Sequence, residues 1–232
     1  MNSSIGKAYS VFLSELKNTS DVNLNTNFNI YLSLFEMRTA LWKYCLDNKR
    51  MIDFSFSDLF QDLVAQYIQK LLPDKSLILE EKKGRYRPDI VIYDNVSKDK
   101  VLAIIEIKTT VGWNRDLINK KGFLERIKNL ARCYEVNQKQ VFFIFESSGN
   151  VDTQFSRKIW ETNNRPFTGR IFPLFRESAH PNTMKDGKYK SWENYHEYTM
   201  EEIKEKYDRD KVCGFELENI LEQKGLLAQP IL

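Results

Sequence analysis

Residues 85–110 read RYRPDIVIYDNVSKDKVLAIIEIKTT, and the fold turns on how this stretch is interpreted. Two apolar runs, at 90–93 and 101–107, flank the polar segment DNVSKDK, whose Asp, Asn and Ser residues are those that chain reversals favour. The pattern predicts two adjacent antiparallel strands. Three residues in it are poor choices for packing alone: Asp89, Glu106 and Lys108. Because side chains alternate across a strand, Glu106 and Lys108 share one face while Ala103, Ile105 and Ile107 take the other. If the hairpin sets the start of its first strand beside the end of its second, Asp89 joins them. Two carboxylates and an amine would then converge.

Like charges held together and away from water are costly unless something compensates them. A divalent cation removes that cost, and hard oxygen donors suit Mg2+, which keeps several waters and takes one or two carboxylates. A phosphate would complete such a site.

Pro88-Asp89 followed by Glu106-Ile107-Lys108 resembles the PD-(D/E)XK signature of the restriction-endonuclease-like nuclease superfamily, with both half-motifs present. The resemblance covers about residues 55–147. It implies that Asp89 and Glu106 hold Mg2+, joined by the backbone carbonyl of Ile107. Lys108 would orient or help deprotonate the attacking water, or stabilise charge growing on the phosphate. Many members add an acid from the helix before the first strand. Candidates are Asp62, Asp58 and Glu36, of which Asp62 is favoured because it lies nearer the edge of its helix's apolar stripe.

Working outward, Ser57 is placed to cap a helix over 58–72 that Pro73 ends, with Leu59, Leu63, Tyr67 and Leu71 in its stripe. A strand over 76–82 and a turn at Gly84 lead into the Pro-Asp strand. After an irregular segment over 111–122, Phe123, Ile127, Leu130, Ala131 and Tyr134 mark a helix over 123–136. The apolar run QVFFIFE at 140–146 reads as a buried strand. Strand, crossover helix and strand make parallel neighbours. The expected fold is therefore α/β, a restriction-endonuclease-like core of helix, three strands, helix and strand.

Helices over 8–16 and 28–46 form an expected N-terminal helical subdomain, 1–54. The core occupies 55–147, and 148–232 is an extension packed on it. That extension holds a helix over 152–163, a strand over 170–175, a polar stretch over 176–198, and closing helices over 199–208 and 215–224. The helix carrying Tyr134 has Leu130 where RecB-like exonucleases place Gln, which departs from that branch.

The composition is that of a folded protein, with 42% hydrophobic and 13% aromatic residues. A net charge of +3 does not by itself argue for nucleic acid, so local clustering decides. Basic residues gather on either side of the motif: Lys82, Lys83, Arg85 and Arg87 before it, Lys120, Lys121, Arg126, Lys128 and Arg132 after it. Of these, Lys83, Arg85, Arg87, Lys120 and Lys121, with Trp113 and Asn114, are the candidate DNA contacts. Cys45, Cys133 and Cys213 are widely spaced and fit reduced thiols, and no apolar run reaches a membrane-spanning length, so a cytoplasmic protein is expected. The two isolated histidines suggest neither zinc nor a His-based nuclease.

The resemblance implies a Mg2+-dependent endonuclease acting on DNA, of the type II restriction kind or a relative, and a homodimer as the simplest way to cut both strands. A repair, junction-resolving or transposon-associated nuclease fits the same motif. A non-catalytic DNA-binding or assembly protein is the competing class.

Overall fold

The computed structural model describes residues 28, 30–36, 57–95, 97, 100–108, 120–146, 171–175, 198–210 and 217–227. The chain divides into two compact units, one formed by Met1–Phe56 and Ser178–Lys211, the other by Ser57–Glu177 and Val212–Leu232.

The larger unit is an α/β domain. In chain order it has α2 (Ser57–Leu71), β1 (Lys75–Leu79), β2 (Ile90–Asp94), β3 (Val101–Lys108), α3 (Lys120–Tyr134), β4 (Val141–Glu146), β5 (Ile171–Phe175) and α5 (Leu217–Gln223). The five strands form one mixed sheet in the order β1-β2-β3-β4-β5. The first three are antiparallel, while β3, β4 and β5 run parallel. The expected hairpin is present, with Ile90 opposite Ile105 and Val91 opposite Ile104. The expected parallel crossover is present too, Glu106 pairing with Phe143 of β4.

β3 is the central strand and is buried on both faces. One face carries Val91, Ile104, Val141 and Phe143, packed against Phe123, Ile127, Leu130, Ala131 and Tyr134 of α3. Phe123 and Phe143 meet edge to face with ring centroids 4.8 Å apart, a geometry worth about 0.5–1.5 kcal/mol beyond burial. Helix α2 lies against β1 and β3. Its buried Phe60, Leu63, Val64, Tyr67 and Ile68 take no part in the α3 cluster, so α2 covers the opposite face.

A register shift between Ile92 and Tyr93 leaves Leu102 without a partner on β2. The bulge reverses the side-chain phase, which is why Val101 packs with Ile104 in the α3 cluster. Gln140 secures it: its Nε2 donates to the carbonyls of Val101 at 3.1 Å and Leu102 at 2.9 Å. Gln140 itself sits in a 3-10 turn, Gln138–Gln140, whose Asn137 cap it completes by accepting the Asn137 N–H. The strand expected from 140 therefore begins at Val141.

Three other boundaries move for local reasons. β1 ends at Leu79 because Glu80 takes a left-handed backbone, φ 51°. The chain then closes a second, tighter reversal at the bridge between Lys83 and Tyr86. Gly84 occupies its first central position at φ 59°, a conformation that favours glycine. Helix α3 ends at Tyr134 because Glu135 is left-handed at φ 58°, and the Val136 N–H returns to the Ala131 carbonyl.

The strand expected at 170–175 is β5, at the edge of the same sheet, and α5 belongs to the same unit. Lys224, just past α5, stands over the rings of Phe142 and Phe172 at 5.1 and 5.3 Å.

In the smaller unit, α1 is described at residues 28 and 30–36 and α4 spans Met200–Asp210. Tyr207 meets Phe28 and Tyr31 edge to face at 5.2 and 5.3 Å, and Phe35 meets Tyr198 at 5.4 Å. Thr199 caps α4 in a reciprocal box with Glu202. The helices expected over 8–16 and 152–163, the polar stretch 176–197 and the remainder of 28–46 lie outside the described residues. Among the described residues no helix is long and apolar enough to cross a membrane.

Candidate active site at the end of the central strand

Alternation along β3 sends Ile104, Glu106 and Lys108 to the face that α3 covers. Ile104 meets the apolar middle of the helix, whereas Glu106 and Lys108 lie at the strand's C-terminal end. Asp89 immediately precedes β2, and the antiparallel register carries it to the same end. The three side chains do converge. Lys108 Nζ lies 3.3 Å from Asp89 Oδ2 and 3.3 Å from Glu106 Oε2, and donates to the Ile107 carbonyl at 2.9 Å. Asp89 Oδ2 also accepts the Ile107 backbone N–H at 2.5 Å, which ties the start of β2 to the end of β3.

Burial is graded across the group. The Glu106 side chain is 4% exposed, Asp89 19% and Lys108 29%, so the cluster opens on the side of Asp89 and Lys108. A carboxylate as deep as Glu106 needs hydrogen-bonded partners of opposite charge. Among the described residues it has two: Lys108 on Oε2 and Arg126 on Oε1, the latter with Nη2 at 2.6 Å.

Arg126 was foreseen only as one of several surface charges. The positional signal was there, since it lies three residues after Phe123 and four before Leu130, along the buried stripe of α3. The same Nη2 lies 3.5 Å from the Arg87 carbonyl, and the guanidinium stands 5.8 Å from the centre of the Tyr86 ring. Tyr86, also unanticipated, is held as well by Arg85, which donates to its hydroxyl through Nε at 3.0 Å and Nη2 at 2.9 Å. The basic reversal is thus linked to the buried acid through Arg85, Tyr86, Arg126 and Glu106.

The other expected contacts fare differently. Lys83, Arg85 and Arg87 are exposed on or beside that reversal, although Arg87 is engaged in an ion pair with Glu80. Lys83 Nζ stands 5.4 Å from the centre of the Tyr134 ring. Lys120 and Lys121 open α3, but their side chains, like Trp113, Asn114 and the side chain of Asp58, lie outside the described residues. Asp62 is half-buried on α2, which covers the opposite face of the sheet. Among the described residues no three His, Cys, Asp or Glu side chains gather as a metal-binding group.

The donor set fits a hard divalent cation. Asp89 Oδ2, Glu106 Oε2 and the Ile107 carbonyl all lie within 3.3 Å of one positively charged nitrogen, so three oxygens already share a cation. Oxygen donors of this kind, two carboxylates and one carbonyl, are those that Mg2+ accepts.

Comparison of the chain with family models, with curated proteins and with solved structures finds no match.

Proposed function

We propose that this protein is a Mg2+-dependent nuclease that hydrolyses phosphodiester bonds in DNA, with a core of the restriction-endonuclease-like type. The observation that carries the reading is the meeting of Asp89, Glu106 and the Ile107 carbonyl around the Lys108 ammonium. Such a constellation has little value for packing and clear value for handling an anionic phosphate.

Asp89, Glu106 and the Ile107 carbonyl would hold the cation. Bound there, Mg2+ would supply positive charge against the phosphoryl oxygens and lower the pKa of a water. Lys108, whose carboxylate contacts are the longer ones, would turn from the carboxylates toward the phosphate or the attacking water. Arg126 would keep Glu106 in place while Lys108 moves. The exposed Lys83 and Arg85 would follow the DNA backbone beside the site.

Type II restriction is the favoured activity, with a two-fold dimer as the simplest assembly for cutting both strands and the cytoplasm as its compartment. Incubation with plasmid, linear duplex and branched DNA in Mg2+ tests it. Discrete fragments support restriction, and cleavage confined to junctions supports a resolving enzyme. A folded Glu106→Ala variant should be inactive; if it cuts like the wild type, this site is not the catalytic one. Light scattering with and without DNA should give a dimer.

One observation favours a non-catalytic DNA-binding protein: the cluster is already charge-balanced by Lys108 and Arg126. DNA binding without cleavage across several divalent metals would establish that reading instead.

A further inference from the structure

Among the described residues, the four charged side chains of the site sum to zero. Asp89 and Glu106 contribute two negative charges, Lys108 and Arg126 two positive ones. The two cations are held differently. The two side chains are equally exposed, at 29%, but Lys108 makes carboxylate contacts of 3.3 Å, long enough for it to swing away. Arg126 is closer, 2.6 Å from Glu106 Oε1, and is further fixed by the Arg87 carbonyl and the Tyr86 ring. When Lys108 yields Oε2, Arg126 therefore still neutralises Glu106 through Oε1.

We propose that Arg126 couples cation uptake to substrate: the free protein binds a divalent cation weakly, and binds it tightly only together with a phosphodiester. The inference rests on the nuclease reading above and adds to it a positioning residue and an order of assembly. A divalent cation entering a neutral cluster gains no net Coulomb attraction from the formal charges and leaves two positive charges in a partly buried place. A phosphodiester, with its own negative charge and the neighbouring phosphates of the same strand, restores the balance. Without Arg126 the empty cluster would carry a net negative charge and attract the cation unaided. The arginine thus keeps an idle site from being loaded.

The test is a calorimetric titration of the full chain with Mn2+, in the presence and absence of dimethyl phosphate, the smallest phosphodiester. The wild type should bind Mn2+ about tenfold or more tightly with the phosphodiester present, a difference of about 1.4 kcal/mol. Arg126→Met, which removes the charge and keeps an unbranched aliphatic side chain, should bind Mn2+ alone about tenfold more tightly than the wild type and show a smaller effect of dimethyl phosphate. Arg126→Lys, which keeps the charge, should restore the wild-type dependence. A purely structural role for Arg126 would not produce this pattern.

Equal wild-type affinity with and without dimethyl phosphate overturns the proposal and needs no variant. Arg126→Met binding Mn2+ no more tightly than the wild type, with its fold intact by circular dichroism, overturns it as well. Glu106→Gln separates this failure from failure of the nuclease reading: if Mn2+ binding survives that substitution unchanged, the cation is not bound at this site at all.

Discussion

The Asp89 carboxylate accepts the backbone N–H of Ile107 at 2.5 Å through the same oxygen, Oδ2, that faces Lys108 at 3.3 Å. One residue therefore joins the two strands and contributes to the site, and the two roles separate by substitution. Asp89→Ala strands a largely buried N–H and should cost about 1–3 kcal/mol. Asp89→Asn can still accept that hydrogen bond through its amide oxygen and should stay within about 1 kcal/mol of the wild type. Both should lose the proposed DNA cleavage. Urea unfolding midpoints at unchanged m, beside a plasmid cleavage assay, check the pair. Equal destabilisation by the two substitutions would show that the strand-joining bond contributes little.

The Gln140 amide holds the bulge in β3 by donating to the Val101 and Leu102 carbonyls. Carbonyls displaced from the ladder are costly to leave unsatisfied, so Gln140→Leu should destabilise the domain by about 2 kcal/mol or more. The same substitution removes the acceptor of the Asn137 N–H and frays the turn before β4. Because β4 is the parallel neighbour of β3, with Phe143 opposite Glu106, the proposed DNA cleavage should slow as well, though far less than for Glu106→Ala. Amide hydrogen exchange at Ala103 and Ile104 provides the local readout. Unaltered protection there would mean that the bulge is set by the strands themselves.

Most of the sheet unit was legible because its signals are local. The apolar runs of β2, β3 and β4, the stripe on α3 and the Asp, Asn and Ser residues between β2 and β3 each act within a few positions, and alternation then carried Glu106 and Lys108 to one face. The bulge was not legible, since its cause, the Gln140 side chain, is nearly forty residues from the carbonyls it binds. Arg126 was missed for a related reason. Its partner Glu106 lies on another element, and a guanidinium along an apolar stripe can end in solvent or on a buried acid. Only the tertiary arrangement separates those outcomes. Tyr86 carried no signal of its own among the basic residues around it, and its contacts with the guanidinium groups of Arg85 and Arg126 depend on the reversal at Gly84.

Tyr134 offers a test by pH. Burial first, then the nearby Glu81 carboxylate, pushes its hydroxyl up to about 12 from the ordinary 10.0. The hydroxyl donates to the Glu81 carbonyl at 2.8 Å, a bond that exists only in the protonated form. A group whose pKa rises on folding stabilises the protein fully below its unfolded pKa and loses that contribution as pH climbs through the folded one. Stability should therefore fall between pH 10 and about 12. Tyr134→Phe should be less stable than the wild type at neutral pH by about 1 kcal/mol, and the gap should close over that alkaline window. Thermal melts of both proteins from pH 7 upward measure it. A constant gap would mean that Tyr134 ionises as readily folded as unfolded.

The basic reversal allows the proposed DNA contact to be resolved residue by residue. Lys83 and Arg87 lie on the same exposed stretch, but Arg87 is ion-paired with Glu80 whereas Lys83 rests over the Tyr134 ring. A side chain that leaves a carboxylate to reach a phosphate exchanges one anion for another, while Lys83 gives up only a cation–π contact. Lys83→Ala should accordingly lower the slope of log affinity against log salt by about 0.9, the value for one phosphate contact on duplex DNA. Arg87→Ala should change affinity less, and Glu80→Gln, which frees Arg87, should raise it. Fluorescence anisotropy with duplex DNA over a range of salt concentrations reads all three. If Glu80→Gln weakens binding instead, the Glu80–Arg87 pair shapes the reversal rather than competing with DNA for the arginine.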